Sequence, residues 1–307
     1  MPEGTRPPFR SRASTSKLIP ALGVLFLGIF LLDGMSAFVK ALLPRYDALE
    51  LSAWRNVIGM LPAIVLLWWM GELKNGVRGL RIRQWRLAYG RGLMVALAQL
   101  CYYAALGFEP FALVTALGYT MNLFMVGMSI LVLSERVGPW RWAAVVLGFI
   151  GAIMIVNPTS ANFTIYSVLP ICAAFLYALS VVTVRLIDTS VSNALMYMYS
   201  ALAAALASLV LVAFSDGFSP IVSVVDGLMI LTMGILGGCG VLCMLIAVRM
   251  AEPSKLAPFN YLGLISAFAM GWLFFGEAPF GDLFPGVILL VGGGLLILWR
   301  ERVNRGR

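Results

Sequence analysis

Apolar runs of about 20 residues follow one another along the chain, each closed by a charged cluster or by Pro and Gly. Between those breaks lie spans at 18–42, 48–70, 84–106, 110–133, 139–156, 164–187, 193–214, 227–250, 254–275 and 282–299. A hydrocarbon core about 30 Å thick is crossed by roughly 20 apolar residues in a helix. The pattern therefore predicts an all-α integral membrane protein with ten transmembrane helices. No polar stretch is long enough to fold as a separate soluble domain.

Composition supports this class. Of 307 residues, 61% are hydrophobic and only 12% charged, with mean hydropathy +0.93; soluble domains carry about 25% charged residues. Cys101, Cys172, Cys239 and Cys243 all fall inside apolar runs, and the chain has no histidine. They read as small packing residues, so neither a disulfide framework nor a metal site is expected. The run Leu18–Leu32 looks like a signal-peptide core in isolation. The following runs are equally apolar, so it reads as a first, uncleaved helix.

Charge sets the orientation. With the N-terminus inside and the spans alternating, 18 of the 22 lysines and arginines fall on one face. The 1–17 tail supplies Arg6, Arg10, Arg12 and Lys17, and the largest loop supplies Lys74, Arg78, Arg81, Arg83 and Arg86. The opposite face keeps only Arg45, while Lys40, Arg55 and Arg91 lie within spans. Basic loops stay cytoplasmic, so the reading is an inner-membrane protein with both termini, 1–17 and 300–307, in the cytoplasm. That placement also accounts for the net charge of +8 without a nucleic-acid partner.

Two stretches recur in order. AALGFEPFALVTALGY from Ala104 is followed by LVLSERVGPWRW from Leu131, and AVRMAEPSKLAPFNY from Ala247 by LFFGEAPFGDLF from Leu273. Glu109-Pro110 matches Glu252-Pro253, and Glu135 matches Glu277, at separations of 26 and 25 residues. The expected units are 18–156 and 164–299, five helices each. An odd number makes the second copy enter from the other side. The repeats are then inverted, a build common in secondary transporters, whose substrate sites lie at the midplane.

These paired patterns, a Pro-started helix, then Glu135 or Glu277, then a Gly-bearing helix closing near Ile155-Val156-Asn157-Pro158, resemble the EamA family of the drug/metabolite transporter superfamily. The likeness covers nearly the whole chain after Lys17. It implies ten helices in two inverted halves, a central cavity, peripheral fifth and tenth helices, and no cofactor. LDGMSAFVKAL around Asp33 and Lys40, with Ala53-Trp54-Arg55, is similar to the branch holding riboflavin and S-adenosylmethionine uptake proteins.

The residues offered for the site follow from where polar groups sit inside spans. Asp33 lies mid-span, where an aspartate costs about 2.5–3.5 kcal/mol on insertion scales. It would bind a proton or a substrate cation, or else pair with Arg55 or Arg91. Lys40, two turns on, would cap the site or snorkel to the interface. Arg55 would grip an anionic or carbonyl-rich substrate with its planar fork, and Trp54 beside it would stack on a planar ring. Arg91 is close enough to the cytoplasmic edge to snorkel. Tyr102 comes from the third helix, Tyr119 and Asn122 from a polar stripe on the fourth, and Asn260 from the ninth. Asn193, Tyr197 and Ser200 form a similar stripe on the seventh. Pro258 would kink the ninth helix, and Gly234, Gly237, Gly238 and Gly240 would let helices approach closely. Trp68, Trp69, Trp85, Trp140, Trp142 and Trp299 read as interfacial anchors.

An enzyme is disfavoured: no histidine, no clustered acids, no P-loop and no nucleophile elbow are present. A non-transport scaffold would leave Asp33 and the repeat without a role. The expectation is a secondary transporter of a small organic metabolite, led by riboflavin uptake, then S-adenosylmethionine uptake, then export of amino acids or other metabolites. Its partners are that substrate and the lipid bilayer; a homodimer is left open.

Overall fold

The structure, a computed structural model, describes residues 18–72, 81–134, 138–156, 165–215, 217–261, 263–276, 288–289 and 292. The two tails, the loop cations of 73–80, Glu135, Glu277 and nearly all of the expected 282–299 span lie outside these residues.

The described chain is helical. Its helices are α1 (Leu18–Leu42), α2 (Ala48–Ile58), α3 (Leu61–Trp69), α4 (Trp85–Phe108), α5 (Phe111–Gly118), α6 (Met121–Leu133), α7 (Pro139–Val156), α8 (Leu169–Val182), α9 (Asn193–Ala213), α10 (Val224–Met250), α11 (Pro253–Asn260) and α12 (Gly263–Phe275). Short 3-10 turns flank α8 on both sides. Six stretches are long and apolar enough to cross a bilayer: 18–42, 48–69, 85–108, 169–186, 193–213 and 224–250. Large apolar side chains such as Trp68, Trp69, Leu131 and Phe214 stand exposed, a surface suited to lipid and not to water. The protein is a multi-pass membrane protein.

Local chemistry sets the helix ends. Asp47 caps α2 by accepting from the Leu49 amide at 2.8 Å. The Ser223 hydroxyl accepts from the Asp226 amide at 3.1 Å, so α10 starts three residues before the expected 227. Pro253 opens α11, and Pro110 immediately precedes α5, where a missing amide hydrogen costs least.

Three expected spans are interrupted. The 48–70 span breaks at Gly59-Met60, with Pro62 starting the next turn. The 110–133 span splits into helices of eight and 13 residues about Tyr119 and Thr120. The 254–275 span splits the same way, again eight and 13 residues, after Asn260. The break in 254–275 falls beyond Pro258 instead of at it, and the break in 110–133 has no proline at all. In the latter, Gly118 weakens the helix and the Thr120 hydroxyl donates to the Leu117 carbonyl at 2.7 Å, diverting an acceptor.

Packing repeats between the halves. α1 runs along α10 and touches α12; α8 runs along α4 and touches α6. α4 also packs on α9, as α10 does on α2 and α3. The glycines of α10 make this possible. A Cβ on Gly238 would strike the Gly59 backbone, and one on Gly240 would lie 2.8 Å from Leu32. The first helix and the α2–α3 break thus settle directly against the α10 backbone.

Candidate functional site

A cavity of about 220 Å³ lies between the halves. Both supply its wall: α1, α2, α4, α5 and α6 from the first, α8, α9, α10 and α11 from the second. Of the residues expected at the site, Asp33, Arg55, Tyr102, Tyr119, Asn122 and Asn260 line it. Lys40 and Trp54 do not. Two helical turns carry Lys40 away from Asp33, and its ammonium sits over the Phe275 ring at 5.3 Å. The Trp54 indole turns from Arg55 and packs on Phe218, ring centroids 5.1 Å apart.

The cavity holds one acid and two bases. Asp33 is buried and accepts a short hydrogen bond from the Ser266 hydroxyl of α12. It pairs with neither arginine. Arg55 donates to the Asn56 side-chain carbonyl at 2.9 Å and to the Gly237 carbonyl at 3.3 Å, and its Nε has no partner. Gly237 leaves room for this: a Cβ there would come 2.8 Å from that Nε. Arg91 donates to the Ser180 carbonyl at 2.7 Å and to the Ser200 hydroxyl at 3.2 Å. The snorkelling expected of Arg91 is corrected: it is 4% exposed and turned into the bundle. Carbonyls left available by the end of α8 and the small Ser200 give it a polar berth inside. Among the described residues, no carboxylate neutralises Arg55 or Arg91.

Aromatic and small polar groups complete the wall. Tyr102, Tyr103, Tyr177 and Tyr197 all border it. The Tyr102 and Thr115 hydroxyls lie 3.3 Å apart, and the Tyr197 hydroxyl donates to the Gly59 carbonyl at 3.0 Å, holding the α2–α3 break. The Asn260 amide donates to the Asn122 side-chain carbonyl at 2.7 Å, joining the two broken helices. Of the seventh-span stripe, Tyr197 and Ser200 reach the cavity but Asn193 does not. Tyr177 was not anticipated. Its signal was available: it sits among Ala173, Ala174 and Ala178, a face too small to fill space by itself.

The arrangement offers donors that fork, one carboxylate, and flat hydrophobic walls. A concave pocket of this kind, mostly apolar with a few polar groups, is the form that small-molecule sites take. Among the described residues, no three His, Cys, Asp or Glu cluster to hold a metal.

Comparison with known proteins agrees with this picture. The chain is 30% identical over 253 residues to a riboflavin transporter of Brucella anthropi, covering 81% of this chain and 87% of that one. It is 27% identical to a pseudopaline exporter of Pseudomonas aeruginosa, covering 89% and 91%. It is 24% identical to an S-adenosylmethionine uptake transporter of Rickettsia prowazekii, covering 69% and 71%. A crystal structure with 22% identity superposes with a TM-score of 0.73 over 93% of this chain and 99% of that one, a likeness of fold. The EamA-like transporter family matches twice, over residues 19–157 and 164–299. With nearly the whole chain matched in two copies, the protein belongs to the EamA-like transporter family.

Proposed function

We propose that the chain is a secondary transporter that carries a small planar metabolite through the cavity between its halves, with riboflavin uptake as the leading reading. The observation that carries this is the cavity itself, walled by both halves and furnished with tyrosines, one carboxylate and two guanidinium groups that no carboxylate among the described residues neutralises. Riboflavin presents a flat ring system edged with carbonyls, which matches tyrosine faces and forked donors. S-adenosylmethionine is the alternative substrate.

The halves, 18–156 and 164–299, are inverted five-helix repeats, and the ten helices place both tails in the cytoplasm. Exchange of packing partners supports the inversion. Swapping α1 for α8, α4 for α10 and α6 for α12 turns each major contact of one half into a contact of the other. The broken segments 111–133 and 253–275 each cross the bilayer as one span, their irregular backbone facing a cavity as membrane burial requires. Asp33 carries the coupling proton or a substrate cation, since a buried carboxylate needs one or the other.

Expression in a bacterial riboflavin auxotroph without its own uptake protein tests the reading. Accumulation of labelled riboflavin is expected. If neither labelled riboflavin nor labelled S-adenosylmethionine enters cells that make the protein, import of this class is excluded.

A further inference from the structure

The two broken helices meet through their asparagines. Asn260 ends α11 and Asn122 stands in the first turn of α6. The Asn260 Nδ2 donates to Asn122 Oδ1 at 2.7 Å, and this single bond leaves two atoms over. They are the Asn122 Nδ2, a donor, and the Asn260 Oδ1, an acceptor. Neither makes a hydrogen bond of its own, both side chains are almost wholly buried, 1% and 4% exposed, in the cavity wall, and the Tyr261 hydroxyl, likewise without a bond, lies beside the Asn122 amide. Each leftover atom is a single amide group away from the shared bond. Buried donors and acceptors are nearly always satisfied in native proteins, and each exception calls for a reason: strain, a bound water or ion, or a function.

We propose that Asn122 and Asn260 form a two-point reader for the donor–acceptor edge of a planar heterocycle. Asn122 Nδ2 donates to a ring carbonyl or ring nitrogen, and Asn260 Oδ1 accepts from the adjoining N–H. Amides are suited to this because each offers one donor and one acceptor in a single plane. The Tyr119 ring, bordering the same cavity beside the first break, supplies a face on which such a heterocycle stacks. The edge it selects is shared by two chemistries: the N–H and carbonyl of a cyclic imide, and the amine and ring nitrogen of an aminopurine. One half of the protein contributes the donor and the other the acceptor, so the reader is whole only when the two breaks are together. Substrate recognition is thereby tied to the relative position of the halves.

This inference rests on the transport reading, and the test separates the two. Purified protein is titrated with matched pairs: riboflavin and 3-methylriboflavin, adenosine and N6,N6-dimethyladenosine. Methylation removes the donating N–H and keeps the ring. The expected result is at least about tenfold tighter binding of the unmethylated member of one pair. That preference falls to near unity in Asn260→Ser and in Asn122→Ser. The readout is a ratio within one preparation, so it survives partial misfolding of either variant. Equal binding within both pairs overturns the reader even if riboflavin is transported. A preference that persists in both serine variants overturns it too, and leaves a bridging water as the occupant. A preference for adenosine alone keeps the reader and sinks the riboflavin reading.

Discussion

Tyr119 and Tyr261 face each other at 6.0 Å between ring centroids, tilted by 39°, each the first residue beyond the shorter arm of a broken helix. They come from equivalent places in the two repeats, 142 residues apart. Each also rests on a glycine of the opposite half. A Cβ on Gly148 of α7 would enter the Tyr261 ring, and one on Gly263 of α12 would enter both Tyr119 and Ile29. The contact between the halves is thus a row of glycine, tyrosine, tyrosine and glycine, tight where each glycine meets its tyrosine.

The row predicts that Gly148→Ala and Gly263→Ala are more harmful than their size suggests. Overpacking of this kind costs about 1–3 kcal/mol. Gly148→Ala should lower thermal stability in detergent and slow uptake, and pairing it with Tyr261→Phe should not restore it, because the clash is with ring carbons. Pairing it with Tyr261→Leu should restore stability. Unchanged melting in Gly148→Ala would mean that Tyr261 moves away freely.

Arg55 gives a sharper distinction. Its fork spans the Asn56 carbonyl and the Gly237 carbonyl, with Nε left over. A lysine has the charge but not the plane. Arg55→Lys should reduce substrate affinity by at least about tenfold, since a charge-assisted hydrogen bond contributes about 1.5–3 kcal/mol. Arg91→Lys should act mainly on folding, because both of its recorded bonds tie helices together. Binding isotherms and melting curves on the two variants separate these outcomes; a loss of affinity in neither would remove the arginines from recognition.

Much of the fold is written in the run lengths. Bilayer thickness sets how many apolar residues must follow one another, so α1 and α7 begin and end where the expected spans do. What escapes such counting is anything that depends on the partner helix. The break at Tyr119 carries no proline, and its position is visible only in the three-dimensional pairing with the second half. Arg91 sits near an edge in sequence, but which way its helix faces decided its fate. Asp33 finds Ser266 across 233 residues, a contact no local pattern announces. Six of the eight residues expected at the site border the cavity because polar groups within apolar runs had nowhere else to point. Trp54 stands apart because adjacency along a helix does not give a shared face, and Lys40 because two turns along one face carry it about 10 Å from Asp33.

Asp33 predicts a split between driven and passive movement. Among the described residues, its partner is a hydroxyl and no cation neutralises it. Asp33→Asn keeps the shape and removes the exchangeable charge. Gradient-driven accumulation should disappear, while exchange of labelled for unlabelled substrate across liposomes loaded on both sides should continue. Ser266→Ala should retain accumulation at a reduced rate. If Asp33→Asn accumulates substrate like the parent protein, Asp33 has no part in coupling.

Asp226 and Gln84 fasten the chain by different kinds of bond. On the face that the charge pattern places outside, Asp226 is fully buried, 2.6 Å from Arg45 and 3.1 Å from the Tyr46 hydroxyl, and the Glu50 carboxylate accepts from both the amide and the hydroxyl of Ser219 at 2.7 Å. Under the proposed inversion of the halves, the equivalent fastening falls on the opposite face. There Gln84 donates to the Leu186 carbonyl at 3.1 Å and accepts from the Asp188 amide at 2.8 Å. The bonds of Asp226 and Glu50 are charge-assisted and the two of Gln84 neutral, so bond for bond the former should be stronger; the Gln84 end has charged bonds of its own elsewhere, from Ser192 to the Glu72 carboxylate at 2.9 Å and from Arg249 to the Asp188 carbonyl at 3.3 Å. Asp226 also sits in the first turn of α10, where a negative charge is favoured. Asp226→Asn should cost about 2 kcal/mol and speed hydrogen exchange at 217–226. Gln84→Ala should cost about 1 kcal/mol and act on 186–192 alone. Hydrogen bonds from Ser190 hold the Asp188 carboxyl below its usual range, so the 188–190 turn is stabilised above the ordinary aspartate pKa and loosens only as pH falls through that lowered value. Protection against exchange at 186–192, corrected for the intrinsic rate at each pH, should therefore be unchanged between pH 7 and about pH 5, and equal cost for the two variants would show that the two fastenings are equally strong.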